Sequence, residues 1–453
     1  MLHARSKYLI YLFLLLAVIS LLLLFPGSYS VDSIIQYEQI LGNSYHDWHS
    51  PVLPFVWKIL IAITGKYYSI YLFQMFFYWL FFYLLLFKIT ANNSVILAGT
   101  IIAAFSVFMP QYVMKDAHMI ISWGMAFIIS VLLYRNKYST GYRYFLVCLA
   151  ALLIMYGTSL RLSNVIVSFF LFYMLLDAAN ATGKGVIKKL ALTVLLCGIA
   201  IVSSNVFIYK VLKAEKRYPE YKLMLLDVVG ISKQTGKNYI PAFIQNTGFD
   251  YAKLMEVYTP ASVDDLYWPK DGAAPMFRDP NKELNDTLSK HWAVAVKENP
   301  VAYLKNRWQG FLYFLHIKER FDKSEYWDVT IYIHPNEYGI ERRSKISPHG
   351  AFTFHYFLHN NTIFFAPWFW LLINTILFAY CVYAYQSRRN PEYKLQALMQ
   401  LSGIVLLLSM LLVYQHDQDF RYTYWNYIVA FIGLLHCMYL RKNPENGVVT
   451  NKK

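Results

Sequence analysis

Four short polar stretches carry the acids, imidazoles and cations with which this chain could do chemistry, and the first contains Asp32. Asp32 comes shortly after an apolar run at the start of the sequence. A carboxylate held where a helix ends is well placed to act as a general base for a hydroxyl group arriving from water. The alternative is structural: Asp32 is a solvated loop residue, or it caps the helix predicted for SIIQYEQIL, because aspartate favours N-cap positions.

Further along the same loop, the segment NSYHDWHSP places His46, Asp47 and His49 close together, where they could bind a metal or a phosphate. Neighbouring residues of an extended chain point to opposite faces, so Asp47 and His49 could share a ligand, whereas His46 and Asp47 would not. The alternative is an interfacial turn in which Trp48 anchors the loop to a membrane.

The second stretch, KDAH, begins an apolar run and contains Lys115, Asp116 and His118. A cation and an imidazole at this point could bind a phosphate. Asp116 could hold a metal, or it could simply complement the dipole at the N-terminus of a helix. Both interpretations are open from the sequence.

The remaining two stretches each contain an arginine. Arg161 lies between two apolar runs that are separated by almost no loop, near a depth at which a charge is costly. It therefore requires an anionic partner, either a carboxylate of the protein or a phosphate. Arg421 lies in QHDQDFRYTYW, where an ion pair with Asp419 is the structural alternative to ligand binding.

The composition predicts that helices in a membrane position these stretches. Hydrophobic residues make up 57% of the 453 residues and charged residues only 15%, against about 25% charged in soluble domains. We predict an all-α polytopic membrane protein, because a spanning helix needs about 20 apolar residues. About ten runs qualify: 8–25, 70–88, 95–110, 118–134, 144–158, 164–177, 190–212, 363–386, 396–414 and 422–440.

The positive charges predict the orientation of these helices. Strict alternation places every basic cluster on one side, which the positive-inside rule makes cytoplasmic, together with both termini. The net charge of +15 is therefore attributed to cytoplasmic loops and not to nucleic-acid binding. The clusters are Lys88; Arg135, Lys137 and Arg143; Lys184, Lys188 and Lys189; Arg388, Arg389 and Lys394; and Arg441, Lys442, Lys452 and Lys453. All four polar stretches then face the extracytoplasmic side.

Three units are predicted along the chain: an N-terminal membrane unit (1–212), an extracytoplasmic and mainly helical module (213–362), and C-terminal membrane helices with a tail (363–453). The first loop (26–69) should form two helices at the membrane interface, SIIQYEQIL and VLPFVWKILIAI, since both are too short to span. In the module, Leu288, Trp292 and Val296 share a helix face, and Asn299 with Pro300 predicts the N-cap and first position of another helix.

No P-loop, dinucleotide fingerprint, CxxC pair or HExxH motif occurs in the sequence, which argues against ATP-driven pumping, Rossmann cofactors and common zinc sites. The four cysteines lie in apolar runs and indicate no disulfide framework.

The order of the polar stretches resembles the C-type glycosyltransferase superfamily, which includes protein mannosyltransferases and bacterial aminoarabinose and O-antigen glycosyltransferases. DSIIQYEQILGNSYHDWHSPVLPFVW is similar to its first external loop, and KDAHM and RLSN to its second and third. WAVAVKENPVAYLKNRWQGF and DQDFRYTYW are similar to late segments of its bacterial branch. Many members have two neighbouring acids in the first loop. Here Asp32 is followed by Ser33 and Ile34, so metal coordination there is not carried over.

The resemblance implies an inverting transferase in a bacterial plasma membrane that moves a sugar from a polyprenyl-phosphate donor to a glycan or glycolipid. The phosphate is already a good leaving group, so the reaction needs a base for the acceptor and cations for the phosphate. No cofactor is required, although a divalent metal could be held by Asp116. A lipid-linked saccharide flippase and a polymerase using a diphosphate-linked donor are the alternatives. The predicted roles are Asp32 as base; Lys115, Asp116, His118, Arg161 and Arg421 at the donor phosphate; and Glu38, His46, Asp47, His49 and Asp419 around the sugar and acceptor.

Overall fold

The structure is a computed structural model that describes residues 2–179, 185–263, 266, 276–318, 333–341, 363–413 and 420–443. Within these ranges every regular element is helical, and the extended pairings are isolated bridges, which confirms the all-α prediction. The α-helices are α1 Leu2–Leu23, α2 Val31–Leu41, α3 Val52–Thr64, α4 Ser69–Tyr83, α5 Asn93–Phe105, α6 Phe108–Gln111, α7 Lys115–Arg135, α8 Thr140–Leu160, α9 Val165–Ala178, α10 Val186–Val206, α11 Glu220–Thr235, α12 Tyr251–Val257, α13 Lys282–Glu298, α14 Pro300–Phe314, α15 Pro367–Arg388, α16 Pro391–Val413 and α17 Tyr424–Lys442.

In the described part of the chain, seven helical segments are long and apolar enough to cross a membrane. Each of the ten predicted runs coincides with a helix, because an apolar segment can satisfy its backbone polar groups internally only as a helix. A multi-pass membrane protein is therefore supported, whereas the count of ten spans and the orientation stay predictions. The seven segments are Ser69–Thr90, Asn93–Gln111, Lys115–Arg135, Thr140–Leu160, Val186–Val211, Pro367–Arg388 and Pro391–Leu412.

Ionic contacts join five helices, α7, α9, α10, α16 and α17, at one end of the bundle. Arg135, at the end of α7, donates from Nε to Glu392 Oε1 at 2.8 Å and from Nη2 to Glu392 Oε2 at 2.6 Å. His436 Nε2 lies 2.8 Å from the same Oε2 atom. Asp177, at the end of α9, pairs with Lys394 at 2.8 Å and also with Lys189. These contacts place the end of α7 and the starts of α10 and α16 together, as alternating helices require.

The first loop is attached to the start of α7 at the opposite end of the bundle. Ser28 N donates to Gln111 O at 2.8 Å, and Val113 N donates to Ser28 O at 2.9 Å. Ser30 and Ser33 cap α2 reciprocally, and Ser33 Oγ also donates to Val113 O at 2.7 Å. The interpretation of Asp32 as the cap is therefore wrong, because Ser30 occupies the N-cap and Asp32 lies in the first turn of α2.

Both predicted helices of the first loop are helical, as α2 and α3, and their position at a membrane interface stays a prediction. One face of α2 is buried, including two polar side chains, Gln36 and Gln39. Gln39 Oε1 accepts a hydrogen bond from His46 N at 3.2 Å. The first loop is thus packed into the protein and not only laid along a surface.

Helices α11 to α13 share a second hydrophobic core, which contains Leu288, and Trp292 packs against it as the sequence pattern predicts. Helix α14 begins at Pro300, which confirms that prediction. Asn299 occupies the N-cap position as predicted, although its side chain makes no cap hydrogen bond and donates back to Ala295 O at 3.1 Å. Phe311, near the end of α14, joins the main core of the bundle.

A buried ion pair joins α14 to α11. Arg307 Nη2 donates to Asp227 Oδ2 at 2.6 Å, and the two side chains are 1% and 0% exposed. Trp292 Nε1 donates to the same carboxylate oxygen at 2.8 Å. Desolvation makes either charge costly once its partner is removed.

We expect Arg307→Ala to destabilise α11 to α14 by about 3 kcal/mol or more, because it leaves the Asp227 carboxylate buried and unpaired. Hydrogen exchange followed by mass spectrometry should show faster exchange confined to these helices. Lys305→Ala, on the exposed face of the same helix, serves as the control. Unchanged exchange in Arg307→Ala would contradict a structural role for the pair.

Candidate functional site

Four side chains from distant parts of the sequence meet at the end of the bundle where α7 begins. Asp32 Oδ2 accepts from Arg421 Nη1 at 2.8 Å, and Asp32 Oδ1 lies 3.1 Å from His49 Nε2. The other ring nitrogen, His49 Nδ1, lies 3.3 Å from Lys115 Nζ. The structure therefore brings together one predicted base, two predicted phosphate ligands and one predicted pocket residue.

The carboxylate of Asp32 is partly open to solvent, with 25% of its side chain exposed. Burial raises its pKa, but His49 and Arg421 more than offset this effect and hold the pKa of Asp32 well below its usual value. Asp32 is therefore ionised at neutral pH and loses its charge only when the pH falls through that lowered pKa. A carboxylate that is ionised, partly exposed and held by two partners can accept a proton from a bound hydroxyl group.

A second acid and cation pair lies beside the first. Arg161 follows the last residue of α8, and its Nη1 lies 3.2 Å from Asp116 Oδ1, with 10% and 1% of the two side chains exposed. The turn around Arg161 is attached to the first loop, because Ser50 Oγ donates to Ser159 O at 2.7 Å. The anionic partner that the sequence required for Arg161 thus includes a protein carboxylate.

Tyr422 connects the two pairs, and the sequence analysis missed it. The guanidinium carbon of Arg161 lies 4.4 Å from the centre of its ring, and that of Arg421 lies 5.2 Å from it. Arg421 Nη2 also donates to Tyr422 Oη at 3.3 Å. Arginine stacks favourably on an aromatic face, so the ring holds both guanidinium groups in one place. In the sequence, the one indication of this role is that Tyr422 directly follows Arg421.

His118 lies deeper in the bundle than the four-residue cluster. Its ring stacks on Phe73 with centroids 5.9 Å apart, and its Nδ1 lies 3.0 Å from Tyr156 Oη. The side chain is buried, with 4% exposed. Among the contacts of the described residues, none joins His118 to Asp32 or Arg421, so its assignment to the phosphate stays a prediction.

Asp47 makes its contacts outside the four-residue cluster, and the prediction that it shares a ligand with His49 stays a prediction. Its Oδ2 accepts from Tyr209 Oη at 2.7 Å and its Oδ1 accepts from Arg217 N at 2.6 Å. His46 forms a bridge with Glu215 in the same region. The physical reason is that the 215–217 segment pairs with the first loop and supplies a backbone N–H that hydrogen-bonds the Asp47 carboxylate.

Trp48 contacts the module, with Lys222 Nζ of α11 lying 4.6 Å from the centre of one of its rings. Glu38 lies outside the cluster, on a pocket of about 280 Å³ formed with residues 334–338. Asp419 lies outside the described residues. No group of three His, Cys, Asp or Glu side chains within the described ranges could hold a metal ion.

The charges of the cluster indicate what it can bind. Asp32 and Asp116 supply two negative charges, while Lys115, Arg161 and Arg421 supply three positive ones. The described part of the site therefore keeps one positive charge in a place of restricted solvent access, where an anion is bound more strongly than in water. The site combines a proton acceptor with a local excess of cations.

Fold and site together define a class: an all-helical, multi-pass membrane protein with acids and cations clustered at one end of its bundle. Comparison with known proteins gives no further guide, since no family model, no curated protein and no solved structure matches the chain.

Proposed function

We propose that this protein is an inverting glycosyltransferase that moves a sugar from a polyprenyl-phosphate donor to a glycan or glycolipid on the extracytoplasmic face of a membrane. The observation that carries the proposal is the partly exposed Asp32 carboxylate held between His49 and Arg421. A second arginine, Arg161, lies against the same Tyr422 ring as Arg421. Membership of the C-type glycosyltransferase superfamily is part of this proposal.

The proposed reaction uses a base and an electrostatic site for the leaving group. The acceptor hydroxyl gives its proton to Asp32 while its oxygen bonds to the anomeric carbon of the sugar. The bond from that carbon to the phosphate oxygen breaks, and the electron pair stays on the phosphate. Arg161 and Arg421 stabilise the charge that develops there. Neither step requires a metal, although a divalent cation bound by the donor is compatible with it.

A lipid environment suits this donor. A polyprenyl chain enters from the bilayer, and the cluster lies at the ends of apolar helices, so the phosphate can reach the cations without leaving the membrane surface. The acceptor would approach from the aqueous side through the exposed edge of Asp32.

The alternative is a flippase for a lipid-linked saccharide, which would use the same cations without covalent chemistry. Transporters of this kind commonly bind near the middle of the membrane and have internal repeats. In the described residues, the acid and arginine pairs lie at the ends of helices, which favours the transferase. A polymerase with a diphosphate-linked donor would catalyse a similar reaction. An assay that compares monophosphate-linked with diphosphate-linked donors distinguishes it from the proposed transferase.

The test is an assay of sugar transfer with the purified full-length protein in nanodiscs, using radiolabelled polyprenyl-phosphate sugars and membrane glycan extracts. We expect a labelled product and release of polyprenyl phosphate, both absent with Asp32→Asn. No product over a broad donor panel, from protein shown to be folded, would overturn the proposal. Product with diphosphate donors alone would indicate the polymerase, and movement of the donor between leaflets without product would indicate the flippase.

A further inference from the structure

Lys115 contacts a ring nitrogen of His49, and this contact determines which of the two ring nitrogens carries the proton. Its Nζ lies 3.3 Å from His49 Nδ1. An ammonium group only donates hydrogen bonds, so Nδ1 must present its lone pair to it. The proton of a neutral imidazole then resides on Nε2, and this is the atom that lies 3.1 Å from Asp32 Oδ1. This tautomer of His49 presents a lone pair to Lys115 and an N–H group to Asp32.

The charged groups around His49 favour this neutral form. Among the described residues, Asp32 of α2, Lys115 of α7, Arg421 of the 420–423 turn and His46 of the same loop act on it. Burial lowers the pKa of His49 below its usual value, Asp32 opposes this shift, and Lys115 and Arg421 add to it. The ring is therefore neutral at pH 7, and a second proton on Nδ1 would face the Lys115 ammonium.

We infer that Lys115 acts through His49 as a positioning residue: it selects the tautomer whose Nε2–H faces Asp32, and it does not bind the donor phosphate. This inference deepens the proposed function and rests on it for its catalytic consequence, while the tautomer itself does not. Arg421 and His49 each contact one oxygen of Asp32. Each oxygen keeps a second lone pair for the acceptor hydroxyl.

The same arrangement excludes His49 as the proton acceptor. Its Nε2 already carries a proton, and its Nδ1 lone pair is directed at Lys115. The acceptor's proton must therefore reach Asp32. Lys115 and His49 supply orientation, and Arg161 and Arg421 remain as the cations of the proposed phosphate site.

The first test is spectroscopic and needs no substrate. The full-length protein is labelled with ¹⁵N-histidine in nanodiscs, and the His49 signals are assigned by difference from His49→Gln. At pH 7 we expect a neutral ring with its proton on Nε2 alone. In Lys115→Met we expect a mixture of tautomers and a higher pKa for His49, because a nearby positive charge has been removed. A wild-type ring that is cationic or protonated on Nδ1 would overturn the inference.

The second test is a double-mutant cycle in the transfer assay. Lys115→Met and His49→Gln are each expected to lower kcat on the order of 10-fold, with little change in the donor KM, because a misplaced base slows chemistry without weakening binding. The double variant should be no slower than His49→Gln, since Lys115 then has nothing to orient. Lys58→Met serves as a control, because Lys58 contacts Asn43 and not the cluster.

The outcomes separate this inference from the proposed function. Additive losses of kcat in the two single variants, or a raised donor KM in Lys115→Met, would assign Lys115 to the phosphate site. Either result would overturn this inference and leave the proposed transferase function unaffected. If the wild-type protein transfers no sugar from any donor, the proposed function fails, and the ¹⁵N experiment still decides whether Lys115 sets the tautomer of His49.

Discussion

Asp32→Asn is expected to lower turnover about 10³-fold or more, within the range by which a general base accelerates a reaction. The amide keeps the shape of the side chain and can still accept from Arg421, but it removes the charge and the proton acceptor. Donor affinity and expression should change little, because Asp32 lies in an already capped turn of α2. Single-turnover transfer and equilibrium binding of the donor, measured on folded protein, separate the two effects.

Glu38→Gln is the matched control for this experiment. It removes a carboxylate from the same helix, and Glu38 lies on the pocket formed with residues 334–338 and not in the cluster. Near-normal turnover in Asp32→Asn would assign Asp32 to a structural ion pair with Arg421. Loss in Glu38→Gln with retention in Asp32→Asn would identify Glu38 as the base.

Arg161→Ala and Arg421→Ala should each lower turnover per folded molecule on the order of 10²-fold, as expected when one preorganised charge contact is lost. Donor binding should weaken in both variants, because both guanidinium groups lie against the ring of Tyr422. Lysine should restore activity only partly, since an ammonium group cannot reproduce the planar fork or its stacking. Initial rates over a range of donor concentrations test these expectations.

Removal of Arg421 should alter the pH dependence more than removal of Arg161. Arg421 helps to hold the pKa of Asp32 low, so its removal raises that pKa, and activity should disappear at a higher pH as the medium is acidified. Arg161 pairs with Asp116, so its removal should lower the rate with a smaller shift of the acid limb. Arg217→Ala, whose side chain is half exposed, is the control. Wild-type kinetics in either cluster variant would exclude that arginine from the site.

The yield of folded protein in the arginine variants separates stability from catalysis. A structural arginine deprived of its partner lowers the yield of folded protein and leaves the kinetics of the surviving molecules unchanged. Loss of activity at normal yield therefore supports ligand binding. Loss of yield at normal specific activity supports the structural role.

The sequence by itself determined the helical architecture, because its signals are local. Apolar runs become helices wherever the backbone cannot hydrogen-bond to water. Pro300 starts α14 because a proline at the first helical position sacrifices no hydrogen bond. The face formed by Leu288 and Trp292 follows from helical periodicity, and it meets the core as expected.

Tertiary structure alone decided which acid meets which cation. Asp32 and Arg421 are 389 positions apart, and no local periodicity relates them. Asp32 and Asp47 are both aspartates of the first loop and carry the same functional group. In the structure, Asp47 accepts a hydrogen bond from Arg217 N, whereas Asp32 contacts Arg421 and His49. Competition between neighbours decided the cap of α2 in the same way, since Ser30 fills it and leaves the Asp32 carboxylate available. Such pairings depend on how helices that are distant in the sequence pack together. The sequence therefore identifies the candidate charged residues, whereas their partners are determined by tertiary packing.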